Sequence, residues 1–190
     1  KYFTTEDAEK ILVQAFTHKS LKGQPNYELL ELEGDVAANA AAVKYIRWKF
    51  PDITRIGYVT KLKHLLISKS SYSSISINNG FYKHIRMSDE HRRAKFYEGS
   101  SDYISINEDV LESICGAITT ILYNKSSIGI GATACYNLIS SYLEEMNIDT
   151  SYENVFDAKT RLKSLLESSQ LNAKLGRSLV LFEPNSKQII

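Results

Sequence analysis

Acidic residues stand at helical spacing at the start of a long, mostly apolar stretch of the chain. Glu28, Glu31 and Asp35 are spaced i, i+3 and i+7, so a helix would stack them on one face. At a separation of ~6 Å and an effective dielectric constant of ~20, each such pair repels by roughly 2–3 kcal/mol. No lysine or arginine lies between Lys22 and Lys44 to offset this repulsion. A divalent cation would do so, and carboxylate oxygens suit magnesium, with manganese as a substitute.

A second acidic pair occurs much later in the chain. Asp109 and Glu112 are spaced i, i+3, in a segment that continues into apolar residues. Taken alone, this pair is an ordinary acidic first turn of a helix. Together with the first group, it would supply two sides of a metal cage. Glu28, nearest the start of the long stretch, is explained equally well as a solvated side chain.

The acidic groups fall on segments whose apolar residues repeat at helical spacing. The first segment predicts a helix from about Tyr27 to Phe50, ended by Pro51, and its alanine-rich middle predicts burial on all sides. No alternation of strands and helices is present. The further predicted helices cover residues 5–17, 53–66, 68–80, 107–123 and 129–146, with 81–101 partly helical. Residues 1–150 are therefore expected to form one all-α domain.

The character of the sequence changes after Thr150. Residues 156–169 predict an amphipathic helix, residues 178–182 a strand and residues 183–186 a turn. The segment 151–190 is therefore expected to be a separate α+β unit.

Composition sets broad limits on the class of protein. With 43% apolar and 24% charged residues, the chain is expected to be soluble and globular, and no apolar run approaches the ~20 residues of a membrane helix. The net charge of +1 argues neither for nor against nucleic-acid binding. Two cysteines, Cys115 and Cys135, cannot form a disulfide framework, so we expect an intracellular, reducing compartment, cytoplasm or nucleus.

Three motifs, in order along the chain, resemble those of the ribonuclease III family. Residues 27–35, Tyr-Glu-Leu-Leu-Glu-Leu-Glu-Gly-Asp, are similar to the family signature Asn-Glu-Arg-Leu-Glu-Phe-Leu-Gly-Asp. Residues 15–20, Ala-Phe-Thr-His-Lys-Ser, resemble its Leu-Thr-His-Arg-Ser. Residues 109–118, Asp-Val-Leu-Glu-Ser-Ile-Cys-Gly-Ala-Ile, resemble its Asp-Val-Phe-Glu-Ala-Leu-Ile-Gly-Ala-Ile. The resemblance covers residues ~5–148.

This resemblance implies a function and a set of site residues. It implies an all-α endonuclease domain that forms a homodimer and holds double-stranded RNA in a valley across the dimer. Matching positions imply that four residues bind Mg²⁺ and act in catalysis, with Glu28 as an accessory carboxylate facing substrate: Glu31, Asp35, Asp109 and Glu112. The implied reaction is hydrolysis of RNA phosphodiesters to 5′-phosphate and 3′-hydroxyl ends with short 3′ overhangs.

The chain departs from the family pattern at several positions. Tyr58 stands where the family often has a glutamate, so the role of that position is in doubt. Leu32 and Glu33 replace residues that the family uses near its dimer seam, so the dimer geometry could differ. Residues 156–166 resemble the opening helix of a double-stranded-RNA-binding domain, which predicts a partial domain of this kind over 151–190; the alternative is a plain C-terminal helix.

Other interpretations stay open at this level. A non-catalytic RNA-binding or assembly subunit could keep the same fold, although none of the four carboxylates is lost. A helical metal phosphohydrolase is disfavoured because no histidine neighbours an aspartate in the sequence. His18 could be a base, but a structural role at the end of the first helix is preferred. The basic run 84–95 fits phosphate contact and a solvated face equally well.

Overall fold

The computed structural model describes residues 2–166, and helices are the only multi-residue secondary structure within that range. The helices are α1 (Glu6–Ala15), α2 (Glu28–Lys49), α3 (Ile56–Leu66), α4 (Lys69–Asn78), α5 (Asp89–Lys95), α6 (Ser101–Lys125), α7 (Ile128–Glu145), α8 (Tyr152–Val155) and α9 (Ala158–Leu166). A short 3₁₀ helix, Phe81–His84, precedes α5. The prediction of an all-α N-terminal domain is confirmed.

The chain divides after Ile148 into two units. The first contains α1 to α7, and the second begins at Asp149 and contains α8 and α9. The strand predicted at 178–182 and the turn that follows it lie outside the described residues. Within residues 2–166, no helix is long and apolar enough to cross a membrane.

Local signals explain where several helices begin and end. The hydroxyl of Thr5 accepts a hydrogen bond from the backbone N–H of Ala8 at 3.3 Å, and that of Ser100 accepts one from Tyr103 at 3.1 Å. Each satisfies a free N–H at a helix start. The Ser100 cap also explains why α6 begins at Ser101, six residues before the predicted start. Helix α4 ends at Asn78, two residues before the predicted end at Gly80, whose φ of 74° suits glycine.

Helix α6 is central to the first unit and packs against α1, α2, α4 and α7. Small residues of α2 face it: Ala38 and Ala42 are fully buried, as are Val110 and Leu111 of α6. Val110 also belongs to a cluster of buried apolar residues that includes Tyr27, Ile85 and Ile106. The pair α2–α6 is therefore the frame that carries both acidic groups.

The prediction that the alanine-rich middle of α2 is buried on all sides is wrong for the single chain, since Val36 at its start is exposed. Leu29, Leu32 and Val36 are 71%, 65% and 65% exposed and are spaced i, i+3, i+7, so they form one apolar stripe along the helix. The opposite side of α2 carries the buried alanines. Composition alone does not predict which side of such a helix stays exposed, because an alanine-rich segment is similarly apolar on every face.

Candidate metal centre

Two glycines bring the acidic helices into backbone contact. A Cβ placed on Gly34 would lie 1.7 Å from the carbonyl oxygen of Glu112, and one placed on Gly116 would lie 2.0 Å from that of Leu30. Side chains at either position would therefore force α2 and α6 apart. Glycine allows this close approach of the two backbones because it has no Cβ.

Three carboxylates converge beside the glycine contact and form the carboxylate cluster: Glu31, Asp109 and Glu112. One carboxylate oxygen from each lies within 4.8 Å of the other two, and all three residues are half-buried. Asp35, one turn after Glu31 on α2, stands outside this group, and Glu28 is exposed and forms an ion pair with Lys19 at 3.0 Å. The structure thus brings residues of both sequence motifs together, with Asp35 adjacent and Glu28 turned to a lysine.

Burial and mutual repulsion make the charged cluster costly without a cation. Burial, and then the neighbouring charges of Asp35 and Glu108, raise the pKa of Glu112 to about 8. Burial, followed by the charges of Asp109 and Glu28, raises the pKa of Glu31 to about 7. The pKa of Asp109 is also raised, again chiefly by burial. These shifts identify the cluster as a place where negative charge lacks compensation.

The donor set fits a hard divalent cation. All three cluster side chains offer carboxylate oxygens, the ligand type that Mg²⁺ and Mn²⁺ prefer. The three side chains are half-buried and close together, which disfavours the alternative that they are ordinary solvent-exposed carboxylates. The residues present therefore fit a metal of this class.

A tyrosine ties the start of α2 to the cluster. The phenol of Tyr27 donates a hydrogen bond to Oδ2 of Asp109 at 3.0 Å, across 82 residues of sequence. Tyr27 is 2% exposed, and burial, followed by the charge of Asp109, raises its pKa far above the usual value. It therefore stays protonated and acts as a fixed donor, which holds one oxygen of Asp109 and leaves the other for an ion.

Lysines reach the acidic region from outside the interval 22–44. Lys69 at the start of α4 lies 2.8 Å from a carboxylate oxygen of Glu108 and donates to the Ser105 hydroxyl at 3.0 Å. Lys63 of α3 donates to Oδ1 of Asn39 at 2.7 Å, and Nδ2 of Asn39 donates to Oδ1 of Asp35 at 2.6 Å. Although no lysine or arginine lies between Lys22 and Lys44 in the sequence, lysines from other helices lie close to the acidic region in the fold.

His18 and Asp109 both line a cavity of about 380 Å³. The residue is 5% exposed, and its Nδ1 accepts from the backbone N–H of Ser20 at 3.1 Å, within the turn that follows α1. Burial, and then the nearby charge of His91, lower the pKa of His18 to about 4. A neutral histidine held in a turn fits a structural role, although its bond is to that turn and not to the helix end.

Sequence reasoning missed several partners at this site. Nε2 of His91 lies 3.4 Å from Oδ2 of Asp102, a histidine–aspartate pair formed between α5 and α6. Asn39 was treated only as part of an apolar segment. A single amide among alanines could have indicated a hydrogen-bonding role for this residue. Tyr58 is half-buried on α3.

Comparison with known proteins gives a consistent assignment. Residues 28–120 match the Ribonuclease III domain. A protein assigned as a ribonuclease 3 in Frog virus 3 is 33% identical over 81% of this chain and 41% of that protein. One from Invertebrate iridescent virus 6 is 25% identical over 97% of this chain and 70% of that protein. The ribonuclease 3 of Campylobacter fetus is 28% identical, over 83% and 66%. The chain thus spans less than half of the first of these relatives and about two thirds of the other two.

Solved structures of similar fold come from another bacterium. Two structures of the nuclease domain of ribonuclease III from Campylobacter jejuni superpose with TM-scores of 0.59 and 0.58, at 27% and 28% identity. Each covers 74% of this chain, and the match spans 91% and 88% of the two bacterial chains. One of the two is described as flexible in a region involved in dimer formation.

Proposed function

The chain belongs to the ribonuclease III family, and from this premise we propose that it is a Mg²⁺-dependent endoribonuclease that cuts double-stranded RNA. One observation carries the proposal. Glu31 of α2 and Asp109 and Glu112 of α6 bring carboxylate oxygens within 4.8 Å of one another in a half-buried site. These are residues that the family motifs mark as metal ligands.

The chain's own groups would divide the work at this site. The carboxylate cluster would hold the ion, with Asp35 as a fourth carboxylate beside Glu112. Tyr27 would keep Asp109 oriented through its 3.0 Å hydrogen bond. When bound, Mg²⁺ supplies Lewis acidity toward the scissile phosphate and a water of lowered pKa. Glu28, exposed at the start of α2, would face the substrate. We propose products with 5′-phosphate and 3′-hydroxyl ends and short 3′ overhangs.

A homodimer is part of the proposal. The apolar stripe of Leu29, Leu32 and Val36 is exposed in the single chain, and such a contiguous surface is typical of a protein interface. It lies on the same helix as Glu31 and Asp35. Pairing of two copies through α2 would therefore place two carboxylate clusters in one particle, one for each strand of a duplex.

The second unit is proposed to assist RNA binding. Helix α9 carries Lys159, Arg161 and Lys163 within nine residues. Basic side chains closely spaced on one helix suit contact with phosphates. We propose that residues 151–190 belong to a double-stranded-RNA-binding domain. The buried, free thiols of Cys115 and Cys135 support a reducing, intracellular setting.

Cleavage of a long RNA duplex tests the proposal. Wild type with Mg²⁺ should cut double-stranded RNA and spare the single strand, and Glu112→Gln should lower the rate by at least ~100-fold. Glu9→Gln, an exposed carboxylate on α1, is the matched control and should cut normally. Mn²⁺ binding, followed by electron paramagnetic resonance, gives a readout independent of turnover.

The outcomes separate the alternatives. Equal cutting by wild type and Glu112→Gln would show that the site assignment is wrong. Duplex binding without cutting by wild type would favour a non-catalytic RNA-binding or assembly subunit that retains the fold.

A further inference from the structure

One polar residue interrupts the alanine-rich middle of α2. Asn39 lies between Ala38 and Ala40, where asparagine is a poorer helix former than alanine by roughly 0.5–0.7 kcal/mol. Its side chain is half-buried, and it lies one turn after Asp35 on the side of α2 that faces α3. Because Asn39 lowers the stability of its own helix, we expect its side chain to make an interaction that compensates for this cost.

The partners of Asn39 fix the orientation of its amide. The ammonium group of Lys63 can only donate, so the atom of Asn39 that faces it at 2.7 Å is the oxygen. The amide nitrogen then faces Asp35. It donates to the carboxylate oxygen Oδ1 at 2.6 Å and to the backbone oxygen at 2.8 Å. The hydrogen bonds at both ends of the amide therefore require the same orientation, and exchanging its oxygen and nitrogen would break them.

This arrangement joins a cation to a carboxylate through a neutral amide. Lys63, Asn39 and Asp35 are all half-buried, where hydrogen bonds in a chain strengthen one another more than in water. The bond from Asn39 occupies Oδ1 of Asp35. Asp35 can then offer Oδ2, as a ligand with a single oxygen.

The position of Asp35 makes that orientation matter. It lies one turn from Glu31 on α2, yet it stands outside the group of three whose oxygens already converge. Its charge is nevertheless the first among the neighbouring charges that act on Glu112. The orientation of the Asp35 carboxylate would therefore decide whether it only repels Glu112 or shares an ion with it.

We propose that Asn39 and Lys63 are positioning residues that hold the Asp35 carboxylate in the orientation required to complete the metal site. The proposal rests on the proposed function, because it assumes that the carboxylate cluster binds a divalent cation. Neither residue needs to touch substrate. Outer hydrogen-bond partners of this kind change metal affinity or activity by about 10–100-fold when removed.

Metal titration of RNA-free protein tests this proposal. We expect Asn39→Leu and Lys63→Met each to weaken Mn²⁺ binding, measured by electron paramagnetic resonance, by about 10–100-fold. Lys63→Arg keeps the charge and the donor and should bind within about threefold of wild type. Lys10→Met is the matched control, since it removes a lysine whose i,i+4 ion pair with Glu6 is on the surface of α1. It should bind Mn²⁺ as wild type does.

The double variant tests whether the two residues act in series. If Lys63 works through Asn39, then Asn39→Leu with Lys63→Met should bind Mn²⁺ no more weakly than Asn39→Leu alone. Thermal unfolding of the metal-free proteins separates positioning from general damage. Variants that lose Mn²⁺ affinity while their Tm stays within a few degrees support the proposal, and a loss that only follows a fallen Tm overturns it.

Three further results would overturn the proposal. If wild type binds Mn²⁺ and cuts duplex RNA, but Asn39→Leu and Lys63→Met bind Mn²⁺ equally well, the positioning role fails and the proposed function stands. If Lys63→Met raises only the KM for RNA, Lys63 is a phosphate contact and not a positioning residue. If wild type binds no Mn²⁺ at all, both proposals fall together.

Discussion

A Cβ on Gly34 would lie 1.7 Å from the carbonyl oxygen of Glu112, so α2 and α6 touch at the level of their backbones. Gly116 makes the reciprocal approach to Leu30. Glu31 and Asp35 flank Gly34, and Glu112 lies one turn before Gly116. The same contact that packs the core therefore sets the separation of the carboxylates on the two helices.

Replacing either glycine should damage fold and metal site together. Gly34→Ala and Gly116→Ala each place a methyl group where backbone atoms of the other helix stand, and fixed backbone cannot yield as a flexible side chain does. We expect each to lower the free energy of unfolding by about 3 kcal/mol or more, measured by urea denaturation.

Gly57→Ala is the control for this experiment. Gly57 lies in the first turn of α3, and nothing stands within 4 Å of an added Cβ. Alanine should be neutral there, or raise the free energy of unfolding by up to ~1 kcal/mol. Unchanged stability in Gly34→Ala would contradict the backbone contact.

Metal binding should depend on pH through the cluster. The pKa values of about 7 for Glu31 and about 8 for Glu112 mean that metal-free protein holds protons there at pH 6, which a cation must displace. The apparent affinity for Mn²⁺ should therefore rise by more than about tenfold from pH 6 to pH 8, with protons released on binding. Titration calorimetry in buffers of different ionisation enthalpy measures both. An affinity that is flat over this range would sink the prediction.

His18 should make stability depend on pH with a defined sign. Its pKa is about 4 in the folded chain against 6.5 in the unfolded chain, so the unfolded state takes up the proton first. The stability from neutral His18 is full above pH 6.5 and is lost as pH falls toward 4, by at most about 3 kcal/mol.

Comparison of wild type with His18→Gln isolates this contribution. Glu31 and Glu112 have raised pKa values, so their protonation stabilises the metal-free fold as pH falls, and this opposite effect is common to both proteins. The difference in unfolding free energy between the two should shrink from pH 7 to pH 4.5. A difference that stays constant would mean that His18 does not titrate between those limits.

A charge on the apolar stripe should prevent dimer formation. Leu32→Lys places an ammonium group at the middle of the stripe, where pairing of two copies would bury it without a partner. Light scattering after gel filtration should give a dimer for wild type and a monomer for Leu32→Lys. Val13→Lys, at an apolar position of α1 that is 42% exposed, should stay dimeric. A Leu32→Lys dimer would show that the stripe is not the interface.

Local patterns predicted the helices that carry the site. The i, i+3 spacing of Asp109 and Glu112 and the apolar periodicity around it depend only on neighbours within a few turns. Residues of each motif were therefore placed correctly on α2 and α6. The two acidic groups were expected to supply two sides of one metal cage, and the motif resemblance supported this, but the spacing within each helix did not show how the two helices pack.

Contacts between distant segments could not be predicted in this way. Tyr27 donates to Asp109 across 82 residues, and Lys63 reaches Asn39 from α3, so neither pairing leaves a periodic signal. The uncovered side of α2 was also missed, since Leu29 and Val36 look like core residues until the neighbours are known. Such facts depend on how helices pack, which a single sequence does not specify.

The glycine contact should make the acidic residues and the two glycines differ in how readily they are lost during evolution. An acid at the site can become its amide with almost no change of volume, so a descendant could abandon chemistry and keep its shape. Neither glycine can be exchanged without rebuilding the middle of the molecule. Relatives that have lost the catalytic function should therefore keep both glycines even where the acidic residues of the site have been replaced.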